Sequence, residues 1–333
     1  MTEPIAFHLT KDDQYKGLDI PKAMTREAWS VTLAEMAETH PEIVVLSADL
    51  LKATLGSRFG DRFPERTFNV GVAEQNLVGT AAGLALAGKI PVIATFSVFL
   101  LMRACEQVRT DICYPNLNVK LVGTAAGFSF GLGGATHMTT EDLALARVLP
   151  NLVVLVPADY HQTVRATRAA LTHVGPVFLR VGRSAEPIVY TEESAFTIGK
   201  ANCLREGEDL TLIACGASVF ESLRAASILG ERGFSVRVLD MHTLKPLDEG
   251  AVLAAAAETR AILTVEEHSR IGGLGGAVAE TLAEAGAVTR FRRLGLPGIF
   301  ATEGNADTLR HTYGLDGEGI AAAALTLLET KDR

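Results

Sequence analysis

The sequence has little of what marks the commonest functional classes. Its 31 basic residues are outnumbered by 39 acidic ones without a basic stripe, so nucleic acid is not an expected partner. Four cysteines and no CxxC pair predict buried free thiols in a reducing compartment. The longest apolar stretch, residues 91–102, is too short to cross a membrane, and the acidic N-terminus does not resemble a signal peptide. We therefore expect a cytoplasmic protein with no membrane partner.

Motifs of nucleotide, hydrolase and metal sites are also absent. No G-x-G-x-x-G follows a predicted strand, and neither a Walker A sequence nor a G-x-S-x-G elbow occurs. No His, Cys and Asp cluster has metal-ligand spacing. The glycine-rich stretch IGGLGGAVAE (residues 271–280) lacks the dinucleotide spacing and is interpreted mainly as a tight turn between a strand and a helix. A self-sufficient nucleotide- or metal-dependent enzyme is not indicated.

The sequence does contain two series of apolar strands that alternate with helical patterns. The first series is EIVVLSAD, TFNVG, PVIATF, NVKLVG, LVVLVPAD and PVFLRV, and the second is DLTLIACG, FSVRVLDM and AILTVEEH. Uninterrupted apolar runs are typical of parallel strands covered by helices on both faces. A polar break near residue 190 separates the series. The sequence predicts an α/β protein with two open, doubly wound, mostly parallel sheets, in domains of residues 20–188 and 195–330.

One acidic residue stands where a predicted strand meets a helix. In FNVGVAEQNLVG (residues 68–79), the strand ends at Gly71 and Glu74 falls in the first turn of the helix. An acid is favourable there because it complements the helix dipole, so Glu74 has a purely local explanation. However, doubly wound folds build their sites beyond the carboxyl ends of their strands, and Glu74 lies on that rim.

Several stretches, taken in order, resemble the C-terminal two-thirds of transketolase, a thiamine-diphosphate enzyme family. They include VVLSADL, FNVGVAEQNLVGTAAGLALAGKIPVIATFSVFLLMRACEQVR, GGATHMTTEDLALARVLPNLVVLVPAD, PVFLRVGR, HTLKPLD and VEEHSRIGGLGGAVAE. Their order and spacing, from about residue 20 to residue 330, are specific. The resemblance implies the pyrimidine-binding and C-terminal domains of that family, with thiamine diphosphate and Mg²⁺ as cofactors.

The resemblance also implies which residues face the cofactor. Glu74 would hydrogen-bond N1′ of the aminopyrimidine and favour the tautomer that activates the thiazolium carbon. Phe96 and Phe99 match the aromatic pocket of the pyrimidine, and Met102 stands where the family often has another aromatic residue. Asp49 would shape the loop near the cofactor.

Three further residues are expected to contact the sugar substrate. His137 in GGATHM matches a histidine that stabilises or protonates sugar oxygens. Arg26 and Arg180 match positions that hold the sugar phosphate through the paired donors of a guanidinium. Transketolases usually have a histidine and an acid where Ala125 and Gly133 stand here, so the sequence leaves the sugar open and allows an unusual ketose or acceptor.

The resemblance further implies a partner chain. The family binds Mg²⁺ and the diphosphate on an N-terminal domain with a Gly-Asp-Gly motif, and no Gly-Asp-Gly occurs in this sequence. We therefore expect one subunit of a split enzyme, with that site on an N-terminal partner subunit, no metal ligand on this chain, and two copies of each chain. The expected reaction transfers a two-carbon ketol unit from a ketose phosphate to an aldose acceptor.

Three alternatives stay open. A 1-deoxy-xylulose-5-phosphate synthase has a similar GxAEQ stretch but normally carries all its domains in one chain. The β subunit of a 2-oxo-acid dehydrogenase would share the glutamate, although the GATHM loop and TFSVFLLMRACEQVR look more like transketolase. A regulatory subunit that kept the fold is the non-enzymatic alternative, and the joint presence of Glu74, Phe96 and His137 argues against it. His268 in VEEHSRIGGLGG is expected to be structural.

Overall fold

The computed structural model of the chain describes residues 20–329. The strands in this part of the chain are β1 (Lys22–Met24), β2 (Ile43–Ser47), β3 (Thr67–Asn69), β4 (Ile90–Phe96), β5 (Lys120–Thr124), β6 (Val153–Leu155), β7 (Val177–Arg180), β8 (Ala185–Pro187), β9 (Asn202–Arg205), β10 (Leu210–Ala214), β11 (Val236–Asp240), β12 (Thr243–Lys245), β13 (Ala261–Ser269) and β14 (Arg290–Leu296).

Helices connect most of these strands. The α-helices are α1 (Thr25–Met36), α2 (Ser57–Arg62), α3 (Glu74–Leu86), α4 (Cys105–Gln107), α5 (Asp142–Val148), α6 (Tyr160–Thr172), α7 (Ser218–Glu231), α8 (Glu249–Glu258), α9 (Leu274–Glu284), α10 (Ala306–Thr312) and α11 (Gly317–Glu329). Two π-helical turns (Phe99–Arg103 and Val108–Cys113) and two 3₁₀ turns (Pro64–Arg66 and Gly131–Gly133) complete the set in residues 20–329.

The first sheet has seven strands in the order β12-β6-β7-β5-β4-β2-β3, of which all but β12 run parallel. Its strands are apolar in succession because helices cover both faces. In β2, Val45 belongs to the core that contains Trp29 of α1, whereas the next residue, Leu46, belongs to the core that contains Leu77 of α3. Adjacent side chains of a strand point to opposite faces, so one short run of sequence supplies two cores.

The second sheet has five strands in the order β14-β13-β10-β11-β9, and only its edge strand β9 is antiparallel. Helices α7 and α11 pack on one face, where Leu212 and Val219 share a core with Ile320. On the other face, Ile213 lies in the same core as Leu46 and Leu77 of the first half of the chain. The predicted fold class, two doubly wound and mostly parallel α/β sheets, is confirmed.

The structure adds strands that the sequence reading did not contain. Strands β9 and β14 extend the second sheet beyond the three strands predicted for it. Strand β12 follows β11 in the chain but joins the first sheet, antiparallel to β6, where Lys245 Nζ donates to the carbonyl oxygen of Arg147. Because one strand crosses between the sheets in this way, the domain limits of 20–188 and 195–330 stay a prediction.

The helices of the described chain and its cysteines bear on two of the sequence-based expectations. Among residues 20–329, no helix combines the length and the apolar character needed to pass through a lipid bilayer. All the cysteines are free, with Cys113 and Cys215 buried and Cys105 and Cys203 only half-buried. Burial raises the pKa of the Cys113 thiol to about 11, so this thiol is protonated at neutral pH.

Candidate active site

Most of the predicted site residues lie at one edge of the first sheet. Glu74 is the first residue of α3, directly after the loop that leaves β3, and its side chain is only 5% exposed. Gly71 has a φ of 76°, in the left-handed region that favours glycine, and its carbonyl oxygen accepts from the N–H of Ala73. The sharp turn made by these residues places the carboxylate at the start of the helix.

Asp49 is hydrogen-bonded to Asn69, close to the loop that precedes Glu74. The side-chain amide of Asn69 donates to Oδ1 of Asp49 over 3.1 Å, and Oδ1 of Asn69 accepts from the backbone N–H groups of Asp49 and Gly71. Asn69 therefore ties the ends of β2 and β3 to the turn that precedes Glu74. The role expected for Asp49 near the cofactor stays a prediction, and Asn69 is a hydrogen-bond partner of Asp49 that the sequence did not reveal.

Aromatic side chains form a cluster beside this edge. Phe96 ends β4, and its ring centroid lies 5.6 Å from that of Phe99 and 6.0 Å from that of His137. The His137 ring is also 5.5 Å from Phe99 and 5.8 Å from Phe130. Edge-to-face contacts of this kind are favourable and hold the rings in fixed orientations. Met102 lies in the π-helical turn that begins at Phe99, with its side chain 44% exposed.

Glu74 receives its hydrogen bond from an arginine that the sequence reading overlooked. Nη1 of Arg103 donates to Oε1 of Glu74 over 3.0 Å, and Cζ of Arg103 lies 3.9 Å from the centroid of the Phe99 ring. The carbonyl oxygen of Arg103 in turn accepts from the side-chain amide of Gln75. Within residues 20–329, Oε2 of Glu74 has no hydrogen-bond partner. The acid, the aromatic ring and the cation thus form one group.

The structure separates the two arginines expected to bind phosphate. Arg180 is buried, and its guanidinium donates to both carboxylate oxygens of Asp142 and to the backbone carbonyls of Thr139 and Glu267. Burial alone would raise the pKa of the Asp142 carboxyl, but the charge and hydrogen bonds of Arg180 outweigh it and lower that pKa. Arg180 is thereby committed to a buried ion pair, so its expected contact with sugar phosphate is not supported.

Arg183, the next arginine along the chain, lies beside the aromatic cluster. Its Cζ lies 4.1 Å from the centroid of the Phe130 ring, in the aromatic cluster of His137. Burial, followed by the nearby positive charge of Arg183, lowers the pKa of Arg26, whose Nη1 donates to the carbonyl oxygen of Ala53. Two neighbouring cations attract an anion. The stretch PVFLRVGR contains both Arg180 and Arg183, and the sequence alone could not tell which one faces the site.

The positions that depart from the family pattern have structural reasons. Ala125 is fully buried and has a φ of 56°, in the left-handed region that residues other than glycine rarely adopt. A Cβ atom added at Gly133 would lie 2.8 Å from Cβ of His137 and 3.1 Å from the ring of Phe130. The present positions of His137 and Phe130 therefore require a glycine at residue 133.

His268 and the glycine-rich stretch form a buried turn at the other sheet. The ring of His268 is buried, with Nδ1 2.6 Å from the carbonyl oxygen of Ser269 and Nε2 accepting from the N–H of Ala144. The carboxylate of Glu266 accepts from the first N–H groups of α9, those of Leu274 and Gly275. Glu266 thus caps the helix end from within the chain, and His268 is buried with both ring nitrogens in contact with backbone atoms. In residues 20–329, no group of His, Cys, Asp and Glu side chains could hold a metal ion.

Comparison with known proteins finds matches to both halves of the chain. Residues 21–187 match the family profile "Transketolase, pyrimidine binding domain", and residues 199–320 match "Transketolase, C-terminal domain". A putative transketolase C-terminal section of Methanocaldococcus jannaschii is 45% identical, with 92% of this chain and 95% of that protein covered. The 6-deoxy-6-sulfo-D-fructose transketolase subunit SqwH of Clostridium sp. (strain MSTE9) is 42% identical, with 92% and 95% covered.

Solved structures and longer relatives complete the comparison. The structure "Split gene transketolase, inactive beta4 tetramer" superposes with a TM-score of 0.84 at 44% identity, covering 94% of this chain and all of that one. The 1-deoxy-D-xylulose-5-phosphate synthase of Thermomicrobium roseum is 39% identical, but the chain spans only 49% of its length. The relatives matched over nearly their whole length are thus sections or subunits of transketolases.

Proposed function

The chain belongs to the transketolase family of thiamine-dependent transferases, and on that premise we propose that it is the cofactor-activating subunit of a split transketolase. In this role it transfers a two-carbon ketol unit from a ketose phosphate to an aldose acceptor. The observation that carries the proposal is Glu74, a buried acid at the start of α3, which Arg103 links to Phe99 of the aromatic cluster.

The residues of this edge fit the aminopyrimidine of thiamine diphosphate. Oε2 of Glu74 is free within the described residues and suits a ring nitrogen that shares a proton with a carboxylate. Phe99 is partly exposed and offers aromatic surface for a flat ring, and the buried Phe96 packs against it. When bound, thiamine diphosphate supplies a carbon nucleophile, so that a bond next to a ketose carbonyl can be broken and re-formed. Glu74 would hold a proton at N1′ of the pyrimidine.

The remaining residues of the cluster act on the sugar. His137 would exchange a proton with a sugar oxygen through its ring, which the surrounding aromatic rings hold in place. Arg26 and Arg183 would bind the anionic end of the sugar, as two cations close enough for the charge of one to lower the pKa of the other. The same pair suits a phosphate or a sulfonate, and the SqwH relative is a 6-deoxy-6-sulfo-D-fructose transketolase subunit.

We also propose that the diphosphate and Mg²⁺ are bound by an N-terminal partner subunit, with two copies of each chain in the complex. No metal-ligand group occurs among residues 20–329, and the sequence has no Gly-Asp-Gly motif. Relatives of matching extent are named as sections or subunits of transketolases. The similar split-gene chain is described as an inactive tetramer of β chains, which supports a requirement for a second kind of chain.

The test uses this chain co-expressed with its candidate N-terminal partner subunit, supplied with thiamine diphosphate and Mg²⁺. Aldehyde release is followed from a panel of ketose phosphates and sulfonates, with each chain alone as control. Release from the pair only is the expected result. A Glu74→Ala variant should lower the rate by at least about 100-fold, because Glu74 would hold the activating proton. If this variant keeps full activity, the chain is a regulatory subunit.

Different donors test the enzymatic alternatives. Consumption of pyruvate with an aldose phosphate, without release of aldehyde from ketoses, would assign a 1-deoxy-xylulose-5-phosphate synthase reaction instead. Oxidation of 2-oxo acids with an artificial electron acceptor would assign a 2-oxo-acid dehydrogenase subunit. The ketol-transfer proposal expects neither reaction to exceed the rate with the best ketose.

A further inference from the structure

Arg103 makes the two contacts that the proposed function gives to the cofactor. Its Nη1 donates to the carboxylate of Glu74 at 3.0 Å, and its Cζ lies over the Phe99 ring at 3.9 Å. An aminopyrimidine in this site would likewise be a flat, nitrogen-bearing group that bonds to Glu74 and packs on an aromatic ring. The guanidinium of Arg103 therefore resembles the group that the site is proposed to bind.

The backbone around Arg103 is held in place, while its side chain lies half in solvent. Arg103 ends the π-helical turn Phe99–Arg103, in which Leu100 and Leu101 are fully buried. The side-chain amide of Gln75 donates to the Arg103 carbonyl and ties this turn to the start of α3. The Arg103 side chain, in contrast, is 52% exposed. It can therefore swing into solvent without disturbing the core.

Arg103 compensates the charge of the buried Glu74 carboxylate. A carboxylate that is only 5% exposed is costly to bury without a charged or hydrogen-bonding partner. Within residues 20–329, Arg103 is the partner that neutralises it. Because one side of the ion pair is open to solvent, the interaction is of moderate strength and can be exchanged for another partner.

We propose that Arg103 competes with the aminopyrimidine for the face of the Phe99 ring and for the charge of Glu74. It stabilises the buried acid through Oε1 before the cofactor binds, and it must leave the Phe99 ring when the pyrimidine packs there and bonds to Oε2. Arg103 thereby lowers the affinity of the site for thiamine diphosphate. This inference rests on the proposed function, since it takes Glu74 and Phe99 as the pyrimidine contacts.

The test measures cofactor binding rather than activity. Thiamine diphosphate is titrated calorimetrically, at fixed Mg²⁺, into the complex of this chain with its N-terminal partner subunit. We expect Arg103→Ala and Arg103→Gln to lower the Kd by about fivefold, the size of a half-exposed ion pair combined with a cation–π contact. The matched control is Arg168→Ala, since Arg168 is also 52% exposed and pairs with a glutamate, Glu35, at 3.1 Å. This control should leave the Kd unchanged.

Repeating the titration with a Glu74→Gln chain separates competition for Glu74 from a general effect of removing a positive charge. In a Glu74→Gln chain the ion pair is already lost, so adding Arg103→Ala should improve the Kd by clearly less than fivefold. An unchanged or higher Kd in both single Arg103 variants, in a complex that otherwise binds the cofactor, would overturn the competition. If the wild-type complex binds no thiamine diphosphate at all, the proposed function itself fails and this inference falls with it.

Discussion

Oγ1 of Thr136 lies 2.8 Å from Nδ1 of His137 and 3.3 Å from the carbonyl oxygen of Gly133. A hydroxyl that donates to the Gly133 carbonyl is left to accept a hydrogen bond from Nδ1–H. This arrangement selects the tautomer of His137 whose Nε2 is free to accept a proton. Thr136 is therefore a positioning residue for the histidine proposed to act on the sugar.

Replacing Thr136 should weaken catalysis without weakening cofactor binding. We expect Thr136→Val to lower kcat for ketol transfer by about tenfold, because the tautomer of His137 is no longer fixed. Thr136→Ser keeps the hydroxyl and should restore kcat to near the wild-type value. Steady-state kinetics and calorimetric titration of thiamine diphosphate check both points. Equal rates for the Val and Ser variants would contradict the role of the hydroxyl.

Replacing Arg183 should change KM, whereas replacing Arg180 should change the stability of the fold. Arg183→Ala is expected to raise KM for a phosphorylated or sulfonated ketose by about tenfold or more, since a charge-assisted contact with the anion is lost. Its effect on the free energy of unfolding should be small, because the side chain is only partly buried. Kinetics with a ketose that lacks the anionic group serve as the control and should hardly change.

The Arg180→Ala substitution should lower the free energy of unfolding. It leaves the buried carboxylate of Asp142 without its ion-pair partner, which costs about 3–5 kcal/mol in comparable sites. Urea unfolding of the purified chain measures this loss. A stable Arg180→Ala variant with a raised KM would instead return Arg180 to the role expected from the sequence.

Restoring the family's usual acid at residue 133 should be harmful. In this loop a Cβ at Gly133 would lie 2.8 Å from Cβ of His137, a distance that real Cβ contacts do not show. We expect Gly133→Asp to displace His137 and to lower kcat by about 100-fold or more, a general acid–base contribution. The control is Leu132→Asp, which adds the same charge on the exposed neighbouring side chain and should leave kcat nearly unchanged. Higher activity of Gly133→Asp than wild type on any ketose would refute the steric argument.

A buried carboxyl should make stability depend on pH. Burial raises the pKa of Asp240 to about 7, and Oδ2 of Asp240 accepts from Tyr190 and Gln162. The unfolded chain loses this proton near pH 4, so the folded chain binds more protons between about pH 4 and pH 7. The contribution of Asp240 to the free energy of unfolding is therefore full below about pH 4 and falls as the pH rises to about 7.

The Asp240→Asn variant isolates this effect because its side chain does not titrate. We compare the free energy of unfolding of the variant with that of wild type at each pH. The difference should shift by on the order of 2 kcal/mol in favour of the variant as the pH rises from 5 to 7. Urea unfolding of both proteins at several pH values gives the difference, from which other titrating groups cancel. Parallel pH profiles for the two proteins would show that Asp240 is ionised in the folded chain throughout.

Several features of this protein follow from its sequence. Uninterrupted runs such as IVVLS predict parallel strands covered on both faces, because only such strands are apolar at every position. The rule that doubly wound sheets carry sites at their strand ends places Glu74 on the rim, and the resemblance to transketolase adds Phe96 and His137. The resemblance to transketolase is confirmed by family profiles over both halves of the chain.

Other features depend on contacts between residues far apart in the chain. The pairing of β12 with β6 crosses the two halves, and no local pattern in the sequence reveals it. Arg180 and Arg183 are only three residues apart, but the backbone direction at the end of β7 sends one into a buried ion pair and the other to the aromatic cluster. Likewise, Arg103 donates a hydrogen bond to Glu74, although the two residues are 29 positions apart in the sequence. Composition and periodicity determined the scaffold and its rim, whereas the tertiary packing decided which charged side chain on that rim meets which partner.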